Sequence, residues 1–289
     1  MSGPVWLRQD RFLGFERTWP AARWVLMGVP MDFTASFQPG SRFAPQRIRE
    51  ASYALETYSP ELDADLTERA LHDAGDLELP FGQVDASLAI IREAASRVLD
   101  AGKHWIALGG DHLVALPLIE AVADRYPDVV VVHWDAHTDL RDAYMGQRLS
   151  HATVLRRVAE LLGDGRVYQF GIRSGTREEW IYARQHTHLF PDRVAEPLLS
   201  ARAQWGARPV YLTLDVDVLD PAFLPGTGTP EPGGITPQEA FAAAHALLGT
   251  HLVGMDVVET MPLADPSLRT ALTAAKLVRE LALVASAPL

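Results

Sequence analysis

Six short runs rich in Val, Ile, Leu and aromatic residues constrain this chain most: 24–29, 105–108, 129–134, 166–172, 210–218 and 252–258. Several lack the polar alternation of a strand with one wet face. They predict strands covered on both sides, as in a parallel sheet. Between them lie longer stretches with helical spacing, at 45–55, 83–101, 113–125, 151–162, 237–248 and 267–284. The clearest is 83–101, where Val84, Leu88, Ile91, Ala95 and Val98 recur every three or four residues. Thr236-Pro237-Gln238-Glu239 reads as an N-cap, a proline at the first helical position and an acidic first turn. This alternation predicts one α/β domain over 1–289, a three-layer α/β/α sandwich with a mainly parallel central sheet. There is no internal repeat and no linker; the Pro/Gly cluster at 221–234 follows an acidic strand and reads as a shaped loop.

Composition narrows the function. Of 289 residues 48% are hydrophobic, enough for a large core, and the net charge of −11 disfavours binders of nucleic-acid phosphates or anionic membranes. The chain has no cysteine, which excludes a disulfide scaffold, a thiolate zinc site and a cysteine nucleophile. No stretch is apolar for long enough to span a bilayer, and the first 19 residues lack a signal-type apolar core. The expectation is a cytoplasmic protein.

Ionisable residues gather in three segments: Leu108-Gly-Gly-Asp-His112, His133-Trp-Asp-Ala-His-Thr-Asp139 and Leu214-Asp-Val-Asp-Val-Leu-Asp-Pro221. Each begins on a predicted strand and ends in polar residues. Sites in open parallel sheets form outside the carboxyl ends of the strands. In an extended segment, side chains at i and i+2 point one way, so Asp135, His137 and Asp139 share a side, as do Asp215 and Asp217, roughly 6.6 Å apart. The two glycines before His112 let the backbone turn and approach closely. Four carboxylates brought together without a cation repel strongly, and a pair of divalent metals removes that repulsion. Oxygen and imidazole donors without sulfur suit Mn²⁺, and less exclusively Zn²⁺, Fe²⁺ or Co²⁺. Asp111 is expected to support its neighbours and Asp220 to shape a turn. His72, His104, His133, His186, His188, His245 and His251 read as ordinary surface or core residues without partners.

At these residues the chain resembles the ureohydrolase superfamily, which contains arginase and agmatinase. The resemblance extends to Gly28-Val-Pro-Met-Asp32, Pro39-Gly-Ser-Arg-Phe43, Ile48-Arg-Glu-Ala-Ser52, Glu56-Thr-Tyr-Ser-Pro60, Gly171-Ile-Arg173, Pro225-Gly-Thr-Gly-Thr-Pro230 and Gly254-Met-Asp-Val-Val-Glu259. These motifs look like the agmatinase branch. The resemblance implies an arginase-like fold and hydrolysis of a guanidino group to urea and an amine with two Mn²⁺ per subunit. It also implies a trimer or hexamer. Position by position, His112 and Asp139 match ligands of one metal, and His137 matches a ligand of the other. Asp135, Asp215 and Asp217 match ligands shared between or adjoining both. His151 matches a proton-transfer histidine and Glu259 the glutamate that holds the guanidinium. The family more often has Ser at Leu113 and Gly at Ala152, differences expected to reshape the pocket wall.

The chemistry accounts for these residue types. A guanidinium is a poor electrophile, and two metal ions lower the pKa of a water toward ~7. On this reading Asp139 takes up the proton of the attacking hydroxide, His151 relays a proton to the leaving amine, and Glu259 aligns the guanidinium by a forked, charge-assisted pair. Arginases hold the substrate α-carboxylate with Asn, Ser and Thr in the loop that reads 140–149 here, and the Asn and the Ser/Thr run are missing. A small-molecule substrate without that carboxylate, agmatine, is expected; cleavage gives putrescine and feeds polyamine synthesis. Arg141 and Arg148 are expected to face solvent or a subunit contact; either one in the pocket would favour a guanidino acid such as guanidinobutyrate. The Pro225–Pro230 loop is expected near the metals, with Gly226 and Gly228 allowing unusual backbone angles. The rival readings are a single-zinc deacetylase-like amidohydrolase and a non-catalytic binding homologue.

Overall fold

A computed structural model describes residues 6–7 and 11–287. Positions 1–5, 8–10 and 288–289, on which part of the N-terminal and whole-chain readings rests, lie outside them. The strands are β1 (Trp6–Leu7), β2 (Trp24–Val29), β3 (Tyr58–Ser59), β4 (Ala64–Asp65), β5 (Leu71–Leu77), β6 (His104–Gly109), β7 (Val130–Trp134), β8 (Val167–Ile172), β9 (His188–Pro191), β10 (Val210–Asp215) and β11 (Leu252–Val258). The helices are α1 (Ala44–Ser52), α2 (Val84–Asp100), α3 (Ala115–Arg125), α4 (Val154–Leu162), α5 (Arg177–His186), α6 (Ala195–Trp205), α7 (Pro237–Ala246) and α8 (Arg269–Ala285).

The central sheet has nine strands in the order β1-β5-β2-β6-β11-β10-β7-β8-β9. All neighbours from β5 to β9 pair in parallel, and only the two-residue β1 is antiparallel at the edge. The strand residues alternate between two cores. Val130, Val132 and Trp134 face one side with α1, α6, α7 and α8. Val129 and Val131 face the other with α2, α3, α4 and α5. Burial on both faces is why these strands lack polar alternation. The architecture is the expected three-layer α/β/α sandwich.

Three elements differ from the sequence-based expectation in ways that shape the site. The strand expected over 210–218 ends at Asp215, and Val216–Val218 form a 3₁₀ turn capped by the Asp215 side chain. The helices expected to begin at 113 and 151 are each preceded by a 3₁₀ turn, His112–Val114 and His151–Thr153. In addition, β5, β9, α5 and α6 lie in stretches where no regular element was expected.

Strand β5 carries two acids into the core. Arg49 of α1 answers them: Nε and Nη2 donate to the Asp73 carboxylate at 2.8 and 2.9 Å, and Nη1 donates to Asp76 Oδ1 at 2.5 Å. Asp73 Oδ2 also accepts the Phe12 N–H at 2.7 Å. All three charged side chains are buried. Removing one member of such a set strands the others without water or a counter-charge. Arg49→Ala is expected to lower unfolding stability by ~3–5 kcal/mol, read from urea denaturation at pH 7. A loss below about 1 kcal/mol would show that the group behaves as a solvated surface pair.

Candidate functional site

Four adjacent strands of the sheet, β6, β11, β10 and β7, end at one place. Past β6 the chain crowds against the segment after β2. The Asp111 N–H donates to Met31 O at 2.7 Å, and a Cβ on Gly110 would fall 1.8 Å from that oxygen. Gly110 is therefore required for close approach, and neither it nor Gly109 has positive φ. Asp111 fixes the turn by accepting from the Leu113 N–H at 3.1 Å, and from the N–H and hydroxyl of Thr34, each at 2.9 Å. This delivers His112 to the sheet edge.

The segment after β7 is not extended. The His137 N–H donates to Asp135 Oδ1, and Asp139 is in the left-handed region at φ 53°. Likewise the Asp217 N–H donates to Asp215 Oδ1 at 2.8 Å. The side chains meet because the backbone turns around its own carboxylates, in place of the i, i+2 alternation expected from sequence. After β11, Glu259 is also left-handed, at φ 62°; its N–H donates to Gly110 O and its Oε1 accepts the His112 N–H at 2.8 Å.

The six residues His112, Asp135, His137, Asp139, Asp215 and Asp217 come together in two groups. His112 Nδ1 lies 3.1 Å from Asp135 Oδ2, 3.1 Å from Asp139 Oδ2 and 3.4 Å from Asp215 Oδ2. His137 Nδ1 lies 3.5 Å from Asp135 Oδ1 and 2.9 Å from Asp217 Oδ2. Asp135 thus turns one oxygen to each histidine. The Thr213 hydroxyl donates to Asp256 Oδ1 at 2.7 Å, so it accepts the Nε2–H of His112 at 2.9 Å. That leaves His112 Nδ1 facing three carboxylate oxygens, and in the neutral ring this nitrogen is a lone pair. Among the described residues neither His112 Nδ1 nor Asp217 Oδ2, both buried, has a hydrogen-bond partner. A lone pair surrounded by anionic oxygens is repulsive unless a proton or a cation stands between them. The donor set and its orphaned atoms therefore fit divalent cations bound by oxygen and imidazole.

The electrostatics agree. Burial opposes charge on His112, yet the Asp135, Asp139 and Asp215 carboxylates crowded around its Nδ1 outweigh it and hold the imidazole well above its usual range. Burial also opposes charge on His137, but Asp217 and Asp135 push it up to about 12. Burial, then Asp217 and Asp135, holds the Asp215 carboxyl well above the ordinary carboxylate range.

His133 corrects the sequence reading, which gave it no partner. The Gln169 side-chain amide donates to His133 Nδ1 at 3.1 Å and to Thr138 O at 2.8 Å. The proton is therefore on Nε2, and this donates to Asp135 Oδ2 at 2.8 Å. Burial keeps the ring neutral by pushing its pKa down. Although His133 falls within one potential ligand group with His112, Asp135 and Asp139, its inward nitrogen carries hydrogen. It orients a carboxylate and is not a metal ligand. Other histidines expected to lack partners also have them: His245 Nε2 is 2.9 Å from Glu280 and His186 Nδ1 is 2.8 Å from Asp164.

A cavity of about 310 Å³ opens beside the cluster. His137, Asp139, Asp215, His151 and Glu259 line it. The His151 N–H donates to Thr34 Oγ1 at 3.0 Å, and its Nε2 is 3.2 Å from Ser36 Oγ. Burial pushes His151 down to about 4, so it is neutral at pH 7. Arg141 also lines the cavity, against the expectation that it faces away, whereas Arg148 is exposed and pairs with Asp142 and Glu160. Ala152 is on the cavity wall, but Leu113 is packed in the core and shapes no wall. Gly226 and Gly228 do not have positive φ. Gly228 instead makes room: a Cβ there would sit 3.2 Å from Glu259 Oε2.

Comparison with known proteins follows this geometry. The model of the arginase family matches residues 22–284. The chain is 47% identical to an agmatinase of Bacillus subtilis (strain 168), over 94% of this chain and 95% of the relative. It is 50% identical to an agmatinase of Bacillus anthracis, over 90% of each. The crystal structure of agmatine ureohydrolase of Thermoplasma volcanium superposes with a TM-score of 0.88 at 32% identity, covering 96% of this chain and 95% of that one.

Two outcomes are expected. His112 and His137 hold protons at pH 7 when only carboxylates face them, and each must lose its proton to bind a metal, so affinity rises with pH. Manganese titrated into chelator-treated protein should release protons, read as a binding heat that depends on the ionisation enthalpy of the buffer; a buffer-independent heat would refute this. His133→Ala should weaken manganese binding by ~10–100-fold while the fold, followed by circular dichroism, is retained.

Proposed function

The chain belongs to the arginase family, and from that premise we propose that it hydrolyses agmatine to putrescine and urea, using two manganese ions held by the six clustered residues. The similarity to agmatinases over most of the chain supports agmatine as the substrate. The observation that carries the binuclear reading is Asp135, with one oxygen toward His112 and Asp139 and the other toward His137 and Asp217. A single-zinc deacetylase-like site has no use for the second group, and a binding protein has no use for either.

The cation pair, when bound, lowers the pKa of water and so supplies hydroxide at neutral pH. His112, Asp139 and Asp215 would hold one ion, His137 and Asp217 the other, with Asp135 between them. Glu259 receives the guanidinium: its Oε1 is fixed by the His112 N–H, which sets the plane in which the carboxylate accepts the substrate N–H groups. This places the guanidino carbon for attack. Asp139 takes up the proton released as the tetrahedral adduct forms. His151, on the cavity wall beside Ser36, passes a proton from solvent to the leaving amine as the C–N bond breaks.

The same reading makes residues 1–289 a single ureohydrolase domain. It also makes the protein cytoplasmic and a homo-oligomer, trimer or hexamer; among the described residues no helix is long and apolar enough to cross a membrane.

Agmatine with added Mn²⁺ should release urea, with close to two metal ions bound per chain; one tightly held zinc would overturn the binuclear reading. Glu259→Gln should keep its metal content while kcat/KM for agmatine falls ~10–100-fold, and unchanged turnover would remove Glu259 from substrate binding.

A further inference from the structure

Arg141 puts a positive charge in a cavity that is to hold a cationic substrate. Its backbone is fixed two residues after Asp139, with its N–H donating to Ala152 O at 3.2 Å. The guanidinium carbon lies 4.6 Å from the centroid of the Tyr144 ring, and Nε is 3.5 Å from Glu179 Oε2. Glu179 is only 4% exposed and already committed. Its Oε1 accepts from Thr138 Oγ1 at 2.8 Å and from the Leu140 N–H, and its Oε2 accepts from the Thr176 N–H at 2.8 Å. It anchors Arg141 at Nε but cannot swing to enclose the guanidinium. Among the described residues, Glu179 is the only acid paired with Arg141, and neither Nη atom makes a hydrogen bond. An arginine on the cavity wall, its side chain 38% exposed and held by one ion pair at Nε, has two unpaired Nη groups ready to meet a carboxylate in fork geometry.

Guanidino substrates of this reaction share one end and differ at the other. The shared end belongs to Glu259 and the metal cluster. The distal end carries an ammonium, a carboxylate or no charge, and it must share the remaining cavity with Arg141. Resting on the reading above, we propose that Arg141, anchored by Glu179 and Tyr144, is the residue that discriminates substrates by distal charge. It supports a second activity on ω-guanidino carboxylates and restrains the rate on agmatine. The bond changes are the same for both classes. Water adds to the guanidino carbon, the bond from that carbon to the chain nitrogen breaks, urea leaves with the oxygen, and the chain nitrogen leaves as a protonated amine.

The test uses the manganese-loaded enzyme and three substrates of similar length: agmatine, 4-guanidinobutanoate and n-butylguanidine. Wild type is compared with Arg141→Met and Arg141→Lys. Arg141→Met should lower kcat/KM for 4-guanidinobutanoate by about 10-fold, mainly through KM, and raise it for agmatine by a few-fold. Turnover of the uncharged n-butylguanidine should stay within about 2-fold, which also shows that the variant is folded and metal-loaded. Arg141→Lys should retain the preference in part, because it keeps the charge and loses the fork. If Arg141→Met shifts all three substrates by one common factor, Arg141 is structural and the inference falls while the proposed function stands. If wild type binds two metal ions per chain yet releases urea from none of the three, the function itself falls and this inference with it.

Discussion

Gathering four carboxylates and two imidazoles, all buried but the partly exposed His137, at one end of a sheet is the constraint around which this molecule is arranged. His112, Asp135, Asp215 and Asp217 are each no more than 3% exposed, and Asp139 only 7%. Bare burial of such a set is prohibitive, and cations offset it only if every donor is aimed before they arrive. The aiming is done by backbone amides and neighbouring side chains. Asp135, Asp215 and Asp217 each accept a main-chain N–H from a residue at most two positions away or on the adjoining segment. His112 is fixed through Thr213 and Asp256, and Asp135 through His133 and Gln169. The charged residues at the centre therefore depend on a ring of buried partners supplied by the same strands and by the neighbouring β8.

The parallel sheet makes that economy available. With both faces covered by helices, only the strand ends are free to carry polar groups. Four neighbouring strands each contribute one turn, and β11, lying between β6 and β10, brings Glu259 to the same edge as the cluster. The local backbone is strained in return. Asp139 and Glu259 both occupy the left-handed region, where a residue with a Cβ costs of order 1 kcal/mol. In both, the hydrogen bonds of the next segment hold the conformation: the Glu259 N–H reaches Gly110 O, and Asp139 O accepts the Arg156 N–H.

How much of this was legible in sequence follows from what each residue packs against. The inner strands were plain because two apolar faces leave an unbroken run. Strand β5 was not, since Asp73 and Asp76 break the run and their partner Arg49 lies more than 20 positions away. Helix α5 buries only Glu179 and Ala183, so it has no apolar stripe to read. Its start was nonetheless visible, as Thr176 and Glu179 form a capping box with the spacing that marks a helix N-terminus. The ligating residue types could be listed from their motifs, but their geometry could not, because an extended i, i+2 run and a turn folded around its own carboxylates have the same sequence. His133 was misread for a related reason: its partner Gln169 lies on the neighbouring strand β8 and belongs to no motif.

The two ends of the cavity consequently differ in what holds them. At the metal end, each side chain is tied to the central strands, and a change there disturbs the core of the sheet. At the distal end the wall comes from loops, above all the segment carrying Arg141 and Tyr144, and one buried acid at the start of α5 moors it. Glu179 bonds Thr138 and Leu140 on either side of Asp139, so the same carboxylate that anchors Arg141 also braces the cluster. That shared brace is what keeps the loop in register with the metals while leaving the groups at its tip free to vary. The chemistry is then set by groups at the ends of the strands, and, on the inference drawn for Arg141, the choice among guanidino compounds by the loop that carries it.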